Sequence, residues 1–185
     1  MKQDSDTEQV QMIKTQRLLL RKLIGSDRDD FFAYRALAEV VQYQSFRPKE
    51  IAEIDAFLAE NENTEFGADN TWFQLGICLE NGQLIGDIGI HFLDDARQSE
   101  LGYTLAPAYQ GNGYAREAVR AVIGYLFESC NIHRVTASVD PENGRSILLL
   151  EALGFRKEAH FVESYFAEGI WCDDCIYALL KKERI

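Results

Sequence analysis

A chain of 185 residues with 46 % hydrophobic and 26 % charged residues fits one globular domain, large enough to bury about 70 % of the surface its unfolded form exposes. A net charge of −11, from 30 acids against 19 lysines and arginines, argues against nucleic acid, which needs a basic surface, and is compatible with a cationic substrate drawn by long-range attraction. No apolar run approaches the ~18 residues of a membrane helix, so no membrane partner is expected, and the polar, acidic opening through residue 12 reads as a flexible tail rather than a secretory signal, with the cytoplasm as the default compartment.

From residue 13 to residue 185 there is no internal repeat, low-complexity tract or linker, and three scattered prolines punctuate loops; one domain is expected. Residues 17–24 read as a first strand. Ser26, with Asp29 three residues on, predicts a capped helix reaching Val41. Pro48 and Glu50 open a second, acidic helix through Ile51, Ile54, Phe57 and Leu58. Residues 72–79 and 83–92 alternate as strands around Asn81-Gly82, a hairpin signal. Asp94-Asp95 turns the chain into the strand 99–106. The segment 114–129 places Ala115, Ala118, Val119, Val122 and Leu126 on one helical stripe. A strand at 133–139, a short helix at 145–153 stopped by Gly154, and a hairpin of 155–166 with 170–180 turning at Glu168-Gly169 complete the chain. Strand, crossover helix and strand from 99 to 139 predict a parallel, adjacent pair in an otherwise antiparallel, mixed α/β sheet with helices on both faces.

Two signals are weak. Cys172-Asp-Asp-Cys175 has the spacing of half a zinc site, but no second pair exists and its setting is strand-like, so positions three apart point to opposite faces and no metal is expected. His91 ends one strand and His133 begins another, and both read as structural. Tyr43, Phe46, Trp72 and Trp171 are candidates for a cleft lining, with core packing as the default for any single aromatic.

The informative stretch is Tyr109-Gln110-Gly111-Asn112-Gly113-Tyr114-Ala115-Arg116, at a strand-to-helix junction. Its glycines let backbone come close to a ligand, and the helix N-terminus adds unpaired N–H donors and partial positive charge. That combination suits a phosphate or diphosphate. A dinucleotide fingerprint would want a third glycine where Arg116 stands, and would follow the first strand rather than the fourth. Four charge-assisted hydrogen bonds give roughly 6–12 kcal/mol gross against an association cost of about 4–15 kcal/mol, so the ligand needs contacts beyond this turn.

Gln110-Gly111-Asn112-Gly113-Tyr114-Ala115 is similar to the Q/R-x-x-G-x-G/A signature of the GNAT superfamily of acyl-CoA N-acyltransferases. Asn143-Gly-Arg-Ser146 followed by Gly154-Phe155, and the opening Thr15-Gln-Arg17-Leu-Leu-Leu-Arg21, resemble its Rim-like branch, which contains the ribosomal-protein N-terminal acetyltransferases. The resemblance runs from about Ile13 to Lys181. It implies a six- to seven-stranded sheet that holds acetyl-CoA in a splay between the fourth and fifth strands. The diphosphate would lie on Gln110, Gly111, Asn112, Gly113, Tyr114 and Ala115, and the pantetheine arm along Tyr103, Thr104 and Leu105, with Asn143 meeting its amides. It further implies direct acetyl transfer to a primary amine, either a protein or peptide N-terminus or a small amine. Glu100 matches a frequent base position, and Ser146 a serine that contacts the sulfur. Leu150 stands where many members carry an acidic tyrosine, which leaves a non-catalytic acyl-CoA-binding or sensing module as the alternative. A homodimer is compatible with the sequence.

Overall fold

The computed structural model describes residues 12–167 and 169–184. Its strands are β1 (Ile13–Lys14), β2 (Leu18–Lys22), β3 (Thr71–Leu79), β4 (Leu84–Leu93), β5 (Gln98–Leu105), β6 (Arg134–Val139), β7 (Arg156–Ala167) and β8 (Ile170–Leu180). The helices are α1 (Arg28–Arg35), α2 (Ala38–Val41), α3 (Ile51–Asn63), α4 (Tyr114–Glu128) and α5 (Gly144–Ala152). The strands form one sheet in the order β1-β2-β3-β4-β5-β6-β8-β7. It has eight strands where six or seven were expected. The addition is β1, two residues whose Ile13 pairs with Leu20. The expected tail falls on residues 1–12, of which 1–11 lie outside the described residues, as does Glu168 of the last hairpin turn.

The helix expected from Ser26 to Val41 is broken. Gly25–Asp27 is a 3-10 turn, and Leu37 is extended (φ −70°, ψ 132°) between α1 and α2. The anticipated Ser26–Asp29 cap does not form. Instead the carboxylate of Asp27 takes the Ile24 N–H at 2.9 Å and two bonds from Arg21 at 2.7 Å. An ionic partner outbids a neutral serine hydroxyl for the first turn. The chain reversal at Asn81-Gly82 is present, with Gly82 at φ +88° and Leu79 N–H reaching Gln83 O at 2.9 Å.

Among the described residues only β5 and β6 run parallel, joined by the crossover helix α4. They pair at Gln98↔Arg134, Ser99↔Val135 and Glu100↔Thr136 and then part. β5 stays registered with β4 as far as Gly86↔Leu105, and β6 with β8 as far as Val139↔Cys175. The sheet is thus forked between residues 101–105 and 137–139, with free backbone on the inner edge of β5.

Two cores hold the fork open. On one face Val119, Val122, Leu126 and Phe127 of α4 pack against Ile88, Ile90, Leu101 and Val135. On the other, Phe31 and Tyr34 of α1 and Ile54 and Leu58 of α3 pack with Leu23, Cys78 and Leu84. That second core covers only the β2–β4 side. Beyond it, the same face of β3, β4, β5 and β6 carries the partly open row Trp72, His91, Glu100 and Thr136.

Candidate active site

The turn after β5 presents its backbone outward. Gly111 and Gly113 both sit in the left-handed region, at φ +78° and +79°, where a side chain costs roughly 1–2 kcal/mol. Nothing lies within 4 Å of where a Cβ on Gly111 would stand. Gly113 caps α4, and among the described residues the N–H groups of 111–116 donate to no protein acceptor. The side chains nearby hold the turn instead. Gln110 donates to Leu105 O at 3.0 Å, and Asn112 to Tyr109 O and Gln110 O at 3.3 and 3.1 Å. Arg17 donates to Asn112 O at 3.0 Å, lies over the Tyr114 ring at 4.5 Å and pairs with Glu117 at 2.7 Å. Arg145 reaches Gln110 Oε1 at 2.8 Å. Arg145 beside six open amides makes this corner of an acidic chain receptive to an anion, the fit that a diphosphate requires.

The fork begins next to this turn. Side chains alternate along β5, so Tyr103 and Leu105 point to the α4 side while Glu100 and Thr104 point to the opposite face. The Tyr103 hydroxyl lies 2.6 Å from Ser146 Oγ and donates to Ser146 O at 3.3 Å. Burial pushes the Tyr103 hydroxyl up to about 12, so it keeps its proton under any physiological condition. Asn143 caps α5, its Oδ1 accepting the Ser146 N–H at 3.2 Å. Leu150 is buried in the core and presents nothing to the fork. Sequence reading placed Tyr103 by its backbone alone. Its hydroxyl, against Ser146, is a contact between residues 43 positions apart that no local pattern announces.

On the opposite face, Glu100 lies beside His91, whose Nδ1 is 3.9 Å from Glu100 Oε2. Burial raises the Glu100 carboxyl above its ordinary value. His91 counters that shift, and the Asp174 carboxylate adds to it. Asp174 is held at 2.6 Å by Ser138 of β6. The ring of His91 stacks on Trp72, with centroids 4.8 Å apart and planes 12° apart.

Beneath the α1 end of this face lies a buried polar network. Asp87 accepts from Tyr34 Oη at 2.6 Å, from Arg35 Nε at 3.0 Å, and from Arg35 Nη2 and the Gln74 amide. Gln44 Oε1 accepts from both Arg35 and Thr104, at 3.2 and 3.1 Å. The broken helix is what brings Gln44 here, tying the segment after α2 to β5.

Of the other aromatic candidates, Phe46 stacks on Phe31 and Phe57 in the second core, and Trp171 is paired with Phe166 on the exposed hairpin. Tyr43 accepts from Gln42 at 3.1 Å. His133 is exposed. Cys172 and Cys175 are free thiols, the second buried, and among the described residues no three His, Cys, Asp or Glu side chains cluster to hold a metal. No described helix is long and apolar enough to cross a membrane.

Comparison with known proteins finds relatives of the same fold. The family described as "Acetyltransferase (GNAT) domain" matches residues 17–156. Uncharacterized N-acetyltransferase p20 of Bacillus licheniformis is 32 % identical over 94 % of this chain and 98 % of its own length. The crystal structure of a GNAT-family acetyltransferase from Bacillus anthracis superposes with a TM-score of 0.85 at 28 % identity, covering 94 % of this chain and all of that one. Spermidine N-acetyltransferase from Vibrio cholerae, in complex with CoA and spermine, shares the fold with a TM-score of 0.79 at 23 % identity, covering 91 % and 98 % of the two chains.

Proposed function

Because this chain belongs to the GNAT family of N-acetyltransferases, we propose that the fork between β5 and β6 is where it moves the acetyl group of acetyl-CoA to a primary amine, and that the residues around the fork divide the work as follows. The observation that carries the reading is the line of open backbone donors, from the inner edge of β5 to the N–H groups of 111–116. The diphosphate fits Gly111, Asn112, Gly113, Tyr114 and Ala115, with Gln110 acting through the shape of the turn. The pantetheine amides fit the inner backbone edge of β5 along Tyr103, Thr104 and Leu105, where β6 has parted from it, and Asn143 fixes the α5 end.

Bound acetyl-CoA supplies the acyl group as a thioester. Glu100 faces the fork from the open side and accepts the proton that the amine gives up as its nitrogen bonds to the carbonyl carbon. The raised affinity of its carboxyl for a proton makes it a stronger base than a solvent-exposed glutamate. As the carbon–sulfur bond breaks, the Ser146 hydroxyl on the α4 side hands its proton to the sulfur and regains one from solvent, to which Glu100 releases the amine proton, while Tyr103 holds Ser146 in place. Base and acid thus approach from opposite faces of the sheet, which separates their proton paths. A tyrosine at position 150 is not needed when these two hydroxyls stand at the fork.

The acceptors in view are a protein or peptide N-terminus, as the Rim-like motifs suggest, and a small amine, the class acted on by the Vibrio enzyme. The same reading takes residues 13–185 as one domain, sets it in the cytoplasm, and works with one copy or a homodimer. Titration calorimetry with CoA, followed by thiol release from acetyl-CoA across an amine panel, tests it. CoA binding with amine-dependent release is expected, and CoA binding with no release for any amine would leave a sensing module instead.

A further inference from the structure

The open end of the acceptor face has an unusual floor. Gly89 of β4 and Gly102 of β5 are register partners, next to Gln74 of β3 on the same face. The edge of the Trp72 indole, at Cε3 and Cζ3, reaches across from β3 to this pair. A Cβ on Gly89 would meet its ring at 3.0 Å, and one on Gly102 at 3.9 Å. The ring is backed by His91, and the residue is 47 % exposed. A tryptophan that spans two strands, rests on bare backbone, and stays half open is not packed as core. Its far end lies beside Gly102, one side-chain repeat of about 7 Å along β5 from Glu100.

We propose that Trp72 is the specificity-determining residue of the acceptor site: its indole, bedded on Gly89 and Gly102, receives a cationic group carried by the amine that Glu100 deprotonates. This rests on the acetyl-transfer reading above and names what that site selects. The charge on this face around Glu100 points to a cation rather than a neutral aromatic body. Glu100 and Asp174 both present carboxylates on this side, the one arginine of the row's neighbouring strand, Arg134, is paired with Glu158 at 2.5 Å, and the whole chain is strongly acidic. A cation over an indole gains about 2- to 30-fold in affinity, depending on how far it is desolvated. The spacing from the ring to Glu100 suits an acceptor with its second cation on a short chain, about four carbons from the reacting nitrogen.

The test compares 1,4-diaminobutane with 1-aminobutane, equal in carbon chain and different by one cation, using the full chain and acetyl-CoA. The wild type is expected to favour the diamine about 3- to 30-fold in kcat/KM. Trp72→Ala should abolish that preference through a higher KM for the diamine, leaving the KM for acetyl-CoA within about twofold, and Trp72→Phe should restore part of it. Since Trp171 is the second of two tryptophans, a Trp171→Phe chain should report diamine binding by a change in Trp72 fluorescence. If the wild type transfers acetyl groups without preferring the diamine, or if Trp72→Ala keeps the preference, the platform is wrong and acetyl transfer stands. If CoA itself fails to bind, the acetyl-transfer reading falls and the platform goes with it.

Discussion

Tyr103 Oη and Ser146 Oγ stand 2.6 Å apart, one hydroxyl on the strand that forms one side of the fork and the other on the helix that leaves its opposite side. If Ser146 passes the proton and Tyr103 orients it, Ser146→Ala should lower kcat about 10- to 100-fold and Tyr103→Phe about 10-fold. The double variant should be no slower than Ser146→Ala alone, because the tyrosine acts through the serine. Multiplying effects would separate the two. The same hydroxyl gives a stability signature. Its folded value of about 12 lies above the unfolded tyrosine value of about 10, so the folded chain holds this proton more tightly. The contribution is complete below about pH 10 and is lost as pH rises toward about 12. Denaturant titrations across that window should show wild type losing more stability than Tyr103→Phe.

If the Glu100 carboxylate accepts the amine proton, as proposed, Glu100 sets the acid limb of the rate profile. Glu100→Gln should therefore lower kcat by about 100-fold or more and leave CoA affinity in place. The Asp174 carboxylate raises Glu100's hold on its proton and His91 lowers it. Asp174→Asn should move the acid limb of kcat to lower pH, and His91→Phe should move it to higher pH. Limbs that stay fixed in both variants would remove Glu100 from the proton path.

Gly113 is both the cap of α4 and a left-handed residue. A β-branched valine there carries the backbone penalty and stands near Arg17, whose Nη2 lies 3.5 Å from the Cβ position. Calorimetry should show Gly113→Val binding CoA at least tenfold more weakly while circular dichroism still reports a folded chain. Equal affinity would mean that the turn is not the diphosphate seat.

Asp87 is fully buried, with Arg35 almost as deep. Asp87→Ala strands a guanidinium, the Tyr34 hydroxyl and the Gln74 amide together. Breaking such a pair costs about 3–5 kcal/mol, which for a chain of this size lowers Tm by about 6–20 °C. Thermal unfolding of the single variant against Asp87→Asn, which keeps hydrogen bonding but not charge, would apportion the loss.

The glycine turn before α4 and the parallel crossover are legible in the sequence because both are local. Two glycines between a strand and a striped helix state their geometry within eight residues, and a strand–helix–strand run has one favoured hand. The helix break at Leu37 was not readable, because Asp27 is claimed by Arg21 and Tyr34 and Arg35 are claimed by Asp87, partners that periodicity cannot see. The two-residue β1 is too short to carry a pattern. Trp72 could be named as an aromatic, yet its role depends on Gly89 and Gly102 being opposite each other, which only register reveals. Ser146 and Tyr103 are both named by the motifs, but the contact between their hydroxyls comes only with the fold.

The three-pair seam between β5 and β6 has a mechanical meaning. Four strands on one side and two on the other of those two neighbours are stitched together by so few rungs that a molecule laid along the free edge would complete the ladder as a ninth, borrowed strand. Whatever concentration of that metabolite surrounds the enzyme then sets its resistance to unfolding. The catalyst would be sturdiest where its raw material is plentiful, and most exposed to proteolysis where the supply runs out.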